Sequence, residues 1–280
     1  MLADLWAAYQ SSVGFAMVNV FFALSTYAVL SAGVLSFASV SYAAFGGFIG
    51  AQLVLNTGIS PLLALPVSAV AGALLAYAVA LLFLRLDGHW MALASLALVL
   101  MTRVVVLNAP TLTGGVNGLS LPVDLSLATL TVLLLLLMLV FHRLSGSWYG
   151  IAVRAVREDP AVAASLGMPA RRLQTIAFVI SGAVGGAGGM LLAAMLQFIS
   201  PDTYFINIAF TMIAAVVLGG SYHWAGAVAG AFVFTALPVV MQAVLPQIQD
   251  VANGAALLAI MVFLPRGLID PRAWRLRHAR

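Results

Sequence analysis

The chain has 280 residues, of which 64% are hydrophobic and 7% charged, with a mean hydropathy of +1.12, whereas an ordinary soluble domain is roughly 25% charged. That composition excludes a soluble globule. All 12 Lys/Arg positions are arginine and there is no cysteine, which excludes a Walker A phosphate loop, lysine-nucleophile chemistry, disulfides and thiolate metal sites in this chain.

The opening MLADLWAAYQ carries Asp4 and no basic residue, so it is not expected to act as a secretory signal peptide. Nine apolar windows follow: 13–30, 36–55, 62–84, 90–107, 125–141, 173–196, 205–218, 224–244 and 251–264. Runs of about 17 to 25 residues suit a bilayer core about 30 Å thick. Lipid leaves a free backbone group unsatisfied, so these runs should be helices. The expected fold is therefore an all-α, polytopic transmembrane bundle of about nine spans, one domain over residues 1–280. The first two windows run almost together, and residues 13–55 hold either two crossings or one crossing plus a broken helix.

The net charge of +4 would suit nucleic acid, but the arginines cluster in loops beside apolar runs, which fits membrane topology better. Suppose the loop around Arg157 is cytoplasmic and each window crosses once. Asp4, Asp124, Asp202 and Asp250 then fall outside, and Arg85, Arg143, Arg154, Arg157, Arg171, Arg172, Arg266, Arg272, Arg275, Arg277 and Arg280 inside. Positive charge is then retained on the cytoplasmic side, as expected. Residues 143–172 become a long cytoplasmic loop, and residues 265–280 a basic tail beside membrane lipid.

Arg103 is the one charge well inside a window, near its outer end. A buried arginine is costly and often functional, yet at that depth it could also snorkel. The next connection holds TGGVNGL, whose Gly114, Gly115 and Asn117 could border a substrate entrance, meet a delivery protein, or form a plain turn. The window REDPAVAASLGMPARR, residues 157–172, is sharply punctuated. Asp159 suits an N-cap, Pro160 a first helical position and Gly167 a left-handed stop, so a short helix is expected over 160–166. It is either a docking knob or an ordinary loop trimmed by caps.

Ser181, Gly185 and Gly189 recur at every fourth residue, and Gly226 and Gly230 repeat that spacing. Such stripes allow close helix approach, with pore lining as the alternative. His89, His142, His223 and His278 are scattered without metal-ligand spacing, so no metal site is expected. Every acid lies in a loop or terminus, and the intramembrane carboxylates of many proton-coupled carriers are absent.

Taken together, LTGGVNGLSLP, then YGIAVRAVREDPAVAASLGMPARRLQTIAFVISGAVGGAGGML, then SPDTYFINIAFTMIAAVVLGGSYHWAGAVAGA resemble the permease subunits of ATP-binding cassette importers for branched-chain amino acids, a family that includes urea permeases. LSFASVSYAAFGGFIGAQL resembles the family's L-S-x-G-H-A-A-F segment, with Ser39 and Tyr42 where glycine and histidine are usual. The resemblance implies that Arg157, Glu158, Asp159, Pro160, Ala163, Ala164, Leu166 and Gly167 form the element that couples to an ATPase. Tyr42, Arg103, Gly114, Gly115 and Asn117 are the candidates along a substrate path. It also implies an inner-membrane transporter subunit rather than an enzyme, with a cytoplasmic C-terminus. Its implied partners are a second related permease, two ATPase subunits that bind the ATP, and an external binding protein; no cofactor is expected in this chain and no nucleic acid. Leucine, isoleucine or valine is the expected cargo, with urea or a short amide as the alternative. An ion-coupled secondary transporter is the reading from another class.

Overall fold

A computed structural model describes residues 2–86, 88–123, 125–244 and 267–268. In chain order the elements are α1 Leu2–Leu30, α2 Ser39–Thr57, α3 Pro61–Phe83, α4 Gly88–Asn108, α5 Pro110–Thr113, a 3-10 turn Gly115–Asn117, β1 Leu119–Ser120, α6 Leu127–Gly146, α7 Trp148–Glu158, α8 Pro160–Ser165, α9 Ala170–Leu196, β2 Phe198–Ile199, α10 Ile206–Gly219 and α11 Trp224–Val244. The described chain is all-α except for the antiparallel pair β1 and β2. The window 251–264 lies outside the described residues, as do Asp124, Asp250, Arg266, Arg272, Arg275, Arg277, Arg280 and His278.

Every described window contains a helix, but the boundaries move. The first helix begins at Leu2 rather than at residue 13, and a bend over residues 31–38 separates it from α2. Among the described residues five helices are long and apolar enough to cross a membrane: residues 11–30 of α1, and α3, α4, α6 and α9. Nine such helices are not found among the described residues. Helix α2 carries Ser39, Ser41, Gln52, Asn56 and Thr57, and α10 has 14 residues, about 21 Å of helix against a core of about 30 Å.

Helix α9 is central because its run SGAVGGAGG removes side-chain bulk on more than one face. Gly182 and Gly186 lie against Gly72 of α3, Gly186 also against Gly46 of α2, and Gly189 against the Ala43 carbonyl. In lipid, helices gain little from hydrophobic burial against one another, so backbone-to-backbone dispersion contact is what such stripes supply. Ser181 and Gly185 face α1: Ser25 Oγ donates to the Ser181 carbonyl at 2.7 Å and lies 3.1 Å from Ser181 Oγ. Gly226 and Gly230 bring α11 onto Gly219 of α10 in the same way. Helices α1 and α9 are accordingly 72% buried over their apolar stretches, against 22% for α4 and 17% for α6, whose outward leucines, Leu135, Leu136 and Leu139 among them, suit lipid.

The connections gather at two ends. At one, Gly33 lies against Arg157, Gln174 Nε2 donates to the Ala32 carbonyl, Arg157 bonds Ser221, and the Leu268 N–H donates to the Leu218 carbonyl. At the other, β1 meets β2, Arg103 meets Asp202, and Gln52 Nε2 donates to the Thr111 carbonyl. Loops that the charge argument assigns to one side of a membrane are neighbours in space.

Candidate functional site

The charged stretch after α6 is helical almost throughout, where its polarity alone reads as a loop. Ser147 caps α7, its Oγ accepting from the Gly150 N–H at 3.4 Å. The helix is amphipathic: Ala152, Val153 and Val156 are buried while Trp148 and Ile151 are exposed. The 3.6-residue spacing of IAVRAV carries that signal. Asp159 then caps α8, its Oδ1 accepting from Ala161 N at 2.8 Å and Val162 N at 3.0 Å. The helix ends one residue earlier than expected, at Ser165, and Gly167 takes φ of +79° with its N–H donating to the Ala164 carbonyl.

Glu158, Asp159, Pro160, Ala164, Leu166 and Gly167 are exposed, with Leu166 70% accessible. They form the outward knob. Ala163 is buried with Ala32, Ala152, Val156 and Leu173, so it anchors the knob from beneath. Arg157 also turns inward: its Nη1 donates to the Ser221 carbonyl at 2.5 Å and Nη2 to Ser221 Oγ at 2.8 Å, with the guanidinium 4.4 Å from the Tyr222 ring centre. Close by, His223 Nδ1 accepts from Ala225 N at 3.1 Å. Partial burial, with Arg154 and His142 nearby, lowers the imidazole pKa, in keeping with the neutral, accepting form.

Loss of the Asp159 cap leaves two α8 N–H groups without their acceptor, at a cost of about 1 kcal/mol. Asp159→Ala is therefore expected to speed hydrogen exchange of the amides at 161–166 by roughly fivefold. Exchange in α9 should be unchanged, and no acceleration at 161–166 would show that the cap contributes nothing.

Between α2, α3, α4 and α5 runs a groove of about 680 Å³, within the roughly 300–1,000 Å³ of small-molecule sites. Phe45, Phe48, Val67, Leu75, Leu98 and Val105 make its walls, and Gln52, Asn56, Thr57, Thr102 and Thr113 supply polar groups. Thr57 and Thr102 donate their hydroxyl protons to the backbone carbonyls of Leu53 and Leu98, which leaves each oxygen free to accept, and Thr113 donates to the Val106 carbonyl. The turn carrying Gly114, Gly115 and Asn117 adjoins the groove through Thr113, whose Oγ1 accepts from Gly115 N at 3.2 Å.

Tyr42 does not line this groove. It is fully buried with Val29, Val34, Ala76 and Phe178, and its hydroxyl has no hydrogen-bond partner among the described residues. Arg103 neither snorkels freely nor enters the groove. It pairs with Asp202 at 2.7 Å and sits 4.7 Å from the Phe205 ring centre, a long-range pairing that no local spacing announces. Sequence reasoning also missed the groove walls, because an apolar wall and a lipid-facing stripe have the same composition.

The sequence profile of the family described as branched-chain amino acid transport system / permease component matches residues 9–264. The high-affinity branched-chain amino acid transport system permease protein LivM of Salmonella typhimurium is 30% identical, over 72% of this chain and 55% of that protein. The probable branched-chain amino acid transport permease protein LivH of Methanocaldococcus jannaschii is 29% identical over 74% of this chain and 71% of its own length. The guanosine ABC transporter permease protein NupQ of Bacillus subtilis is 29% identical over 40% of this chain and 35% of its own. No solved structure matches. The chain spans about half the length of LivM. With the profile running from α1 through the knob and beyond α11, this integral, multi-pass membrane protein belongs to the family of branched-chain amino acid transport system permease components.

Proposed function

We propose that the chain is the permease subunit of an ATP-binding cassette importer in the cell inner membrane, moving branched-chain amino acids by alternating access. The observation that carries the reading is the family match across residues 9–264, which includes both knob and groove. A related second permease, two ATPase subunits and an external binding protein complete the machine; ATP binds to the ATPases, and this chain itself takes no cofactor. The exposed knob, Glu158 to Gly167, receives the ATPase from the cytoplasm, and the chain threads the membrane with about nine embedded segments and a cytoplasmic C-terminus. Asp202 faces outward and Arg143, Arg154, Arg171 and Arg172 face inward, in accord with retention of positive charge.

The groove suits the cargo. Apolar walls take an aliphatic side chain without desolvating a further charge, while the hydroxyl and amide oxygens of Thr57, Thr102, Gln52 and Asn56 can accept from an ammonium group. Gly114, Gly115 and Asn117 shape the connection beside the groove and are path residues by position. Tyr42 and Arg103 serve the path indirectly, by packing and by holding α4.

Reconstitution into liposomes with the partner permease, ATPases and binding protein decides the matter. Labelled leucine is expected to accumulate only with ATP. Uptake by this chain alone on a proton or sodium gradient would overturn the importer. ATP-driven uptake of urea or a nucleoside instead of leucine would keep the importer and change the cargo.

A further inference from the structure

Helix α10 is short, yet both of its ends are held by arginines from elsewhere in the chain. At the inner end the turn after α10 is gripped by Arg157, through the Ser221 carbonyl and hydroxyl and across the Tyr222 ring. Arg157 is the penultimate residue of α7, directly before the capped knob. At the outer end Phe205, the residue preceding α10, lies under the guanidinium of Arg103, which also pairs with Asp202 at 2.7 Å. Arg103 belongs to α4, a wall of the groove.

Helix α4 is otherwise poorly secured. Only Met91, Ser95, Val99 and Val106 along its length are buried. Its polar attachments to the rest of the described fold are Arg103 at the outer end, the Val106 carbonyl, which accepts from Thr113 Oγ1 of α5, and Ser95, whose Oγ accepts from the Phe37 N–H at 3.0 Å. Residue 37 lies in the bend between α1 and α2, and the Phe37 ring meets Phe210 of α10 edge-on at 5.0 Å. That same bend rests on α7, since a Cβ added at Gly33 would stand 3.1 Å from Arg157 Cα. Knob, bend, α10 and groove wall therefore form one connected path.

We propose that α10 is a rigid link that carries displacement of the knob to the groove wall α4, with Arg157 and Arg103 as its two joints. An α-helix resists axial compression because each turn is hydrogen-bonded to the next, and 14 residues span about 21 Å. Close packing against α11 at Gly219, Gly226 and Gly230 braces the link against bending. The joints are charge-assisted or cation–π contacts, which hold a side chain in place while allowing it to pivot. Both arginines are positioning residues; neither needs to touch cargo. The inference rests on the importer reading for its purpose, but the link itself is a property of this chain alone.

Hydrogen exchange on the purified chain tests it without any partner, so the result is independent of whether the assembled importer works. Arg157→Met is expected to accelerate exchange in the distant outer segment 200–205 by at least about threefold, and Arg103→Met to do the same in the inner turn 220–223. The control is Arg154→Met at the inner end, since Arg154 donates to the Gly150 and Ser145 carbonyls of the α6–α7 corner; it should leave segment 200–205 unchanged. Changes confined to the end that carries the substitution would overturn the link, as would an equal remote effect from Arg154→Met. In the reconstituted complex, either joint substitution should lower the cargo moved per ATP hydrolysed by about tenfold, a loss of about 1.4 kcal/mol of coupling. A ratio equal to that of the parent chain would refute the assigned purpose.

Discussion

Gly186→Val is expected to prevent the bundle from assembling. Three backbones converge at this residue: an added Cβ meets the Ser68 carbonyl oxygen, with Gly72 Cα and Ser68 C both at 3.2 Å, while Gly46 of α2 lies against Gly186 itself. None of these neighbours is the yielding end of a side chain. Helix α3 would have to retreat from α9, and overpacking of this kind costs typically 1–3 kcal/mol and more where backbone must shift. Valine adds two methyl groups beyond that Cβ, so a loss of at least about 3 kcal/mol is expected. Without separate hydrophobic attraction between helices in lipid, the lost contact has no compensation. Thermal denaturation followed by fluorescence-detected size exclusion in detergent is the measurement. Gly146→Ala is the comparison, because a Cβ there meets nothing within 4 Å; its effect should stay within about 0.5 kcal/mol. Equal melting behaviour of the two variants would mean that the glycine contacts do not hold α9 in place.

Filling the groove is the second large effect. Met101 and Val105 lie four residues apart on α4, both line the groove and are 63% and 53% exposed, so bulk added there enters empty space rather than the core. With tryptophan at both positions, one helical face presents two indole rings to the groove. Leucine uptake by the reconstituted complex should fall at least about tenfold, equivalent to about 1.4 kcal/mol on the rate. Stability should change by no more than about 0.5 kcal/mol, since both positions are exposed. Tryptophan at Leu135 and Leu139 of α6, likewise exposed, should leave uptake intact because α6 contributes no wall to the groove. If the α4 pair transports as well as the α6 pair, the groove is a lipid-filled crevice and the path lies elsewhere.

The sequence by itself determined what depends on composition and short-range chemistry. Apolar length marked the helices, since a bilayer core demands about 20 residues of helix whatever their neighbours. The Asp159 cap and the Gly167 stop were legible because their hydrogen bonds reach only a few residues, and the family resemblance rested on motifs contiguous in the chain. The break between α1 and α2 was only half legible, as two alternatives. What remained hidden depends on residues far apart in sequence. Arg103 finds Asp202 ninety-nine positions away, and Arg157 finds Ser221 sixty-four away, so neither spacing nor periodicity could announce the pairing. Tyr42 was singled out by motif alone, and only packing shows it sealed among Val29, Ala76 and Phe178. The groove is hidden for a further reason: Phe45, Leu98 and Val105 have the same character whether they face lipid, a neighbouring helix or a cavity. Which of these surroundings each meets is decided by the tilt and separation of whole helices, and those follow from where the glycines of α9 let the backbones touch.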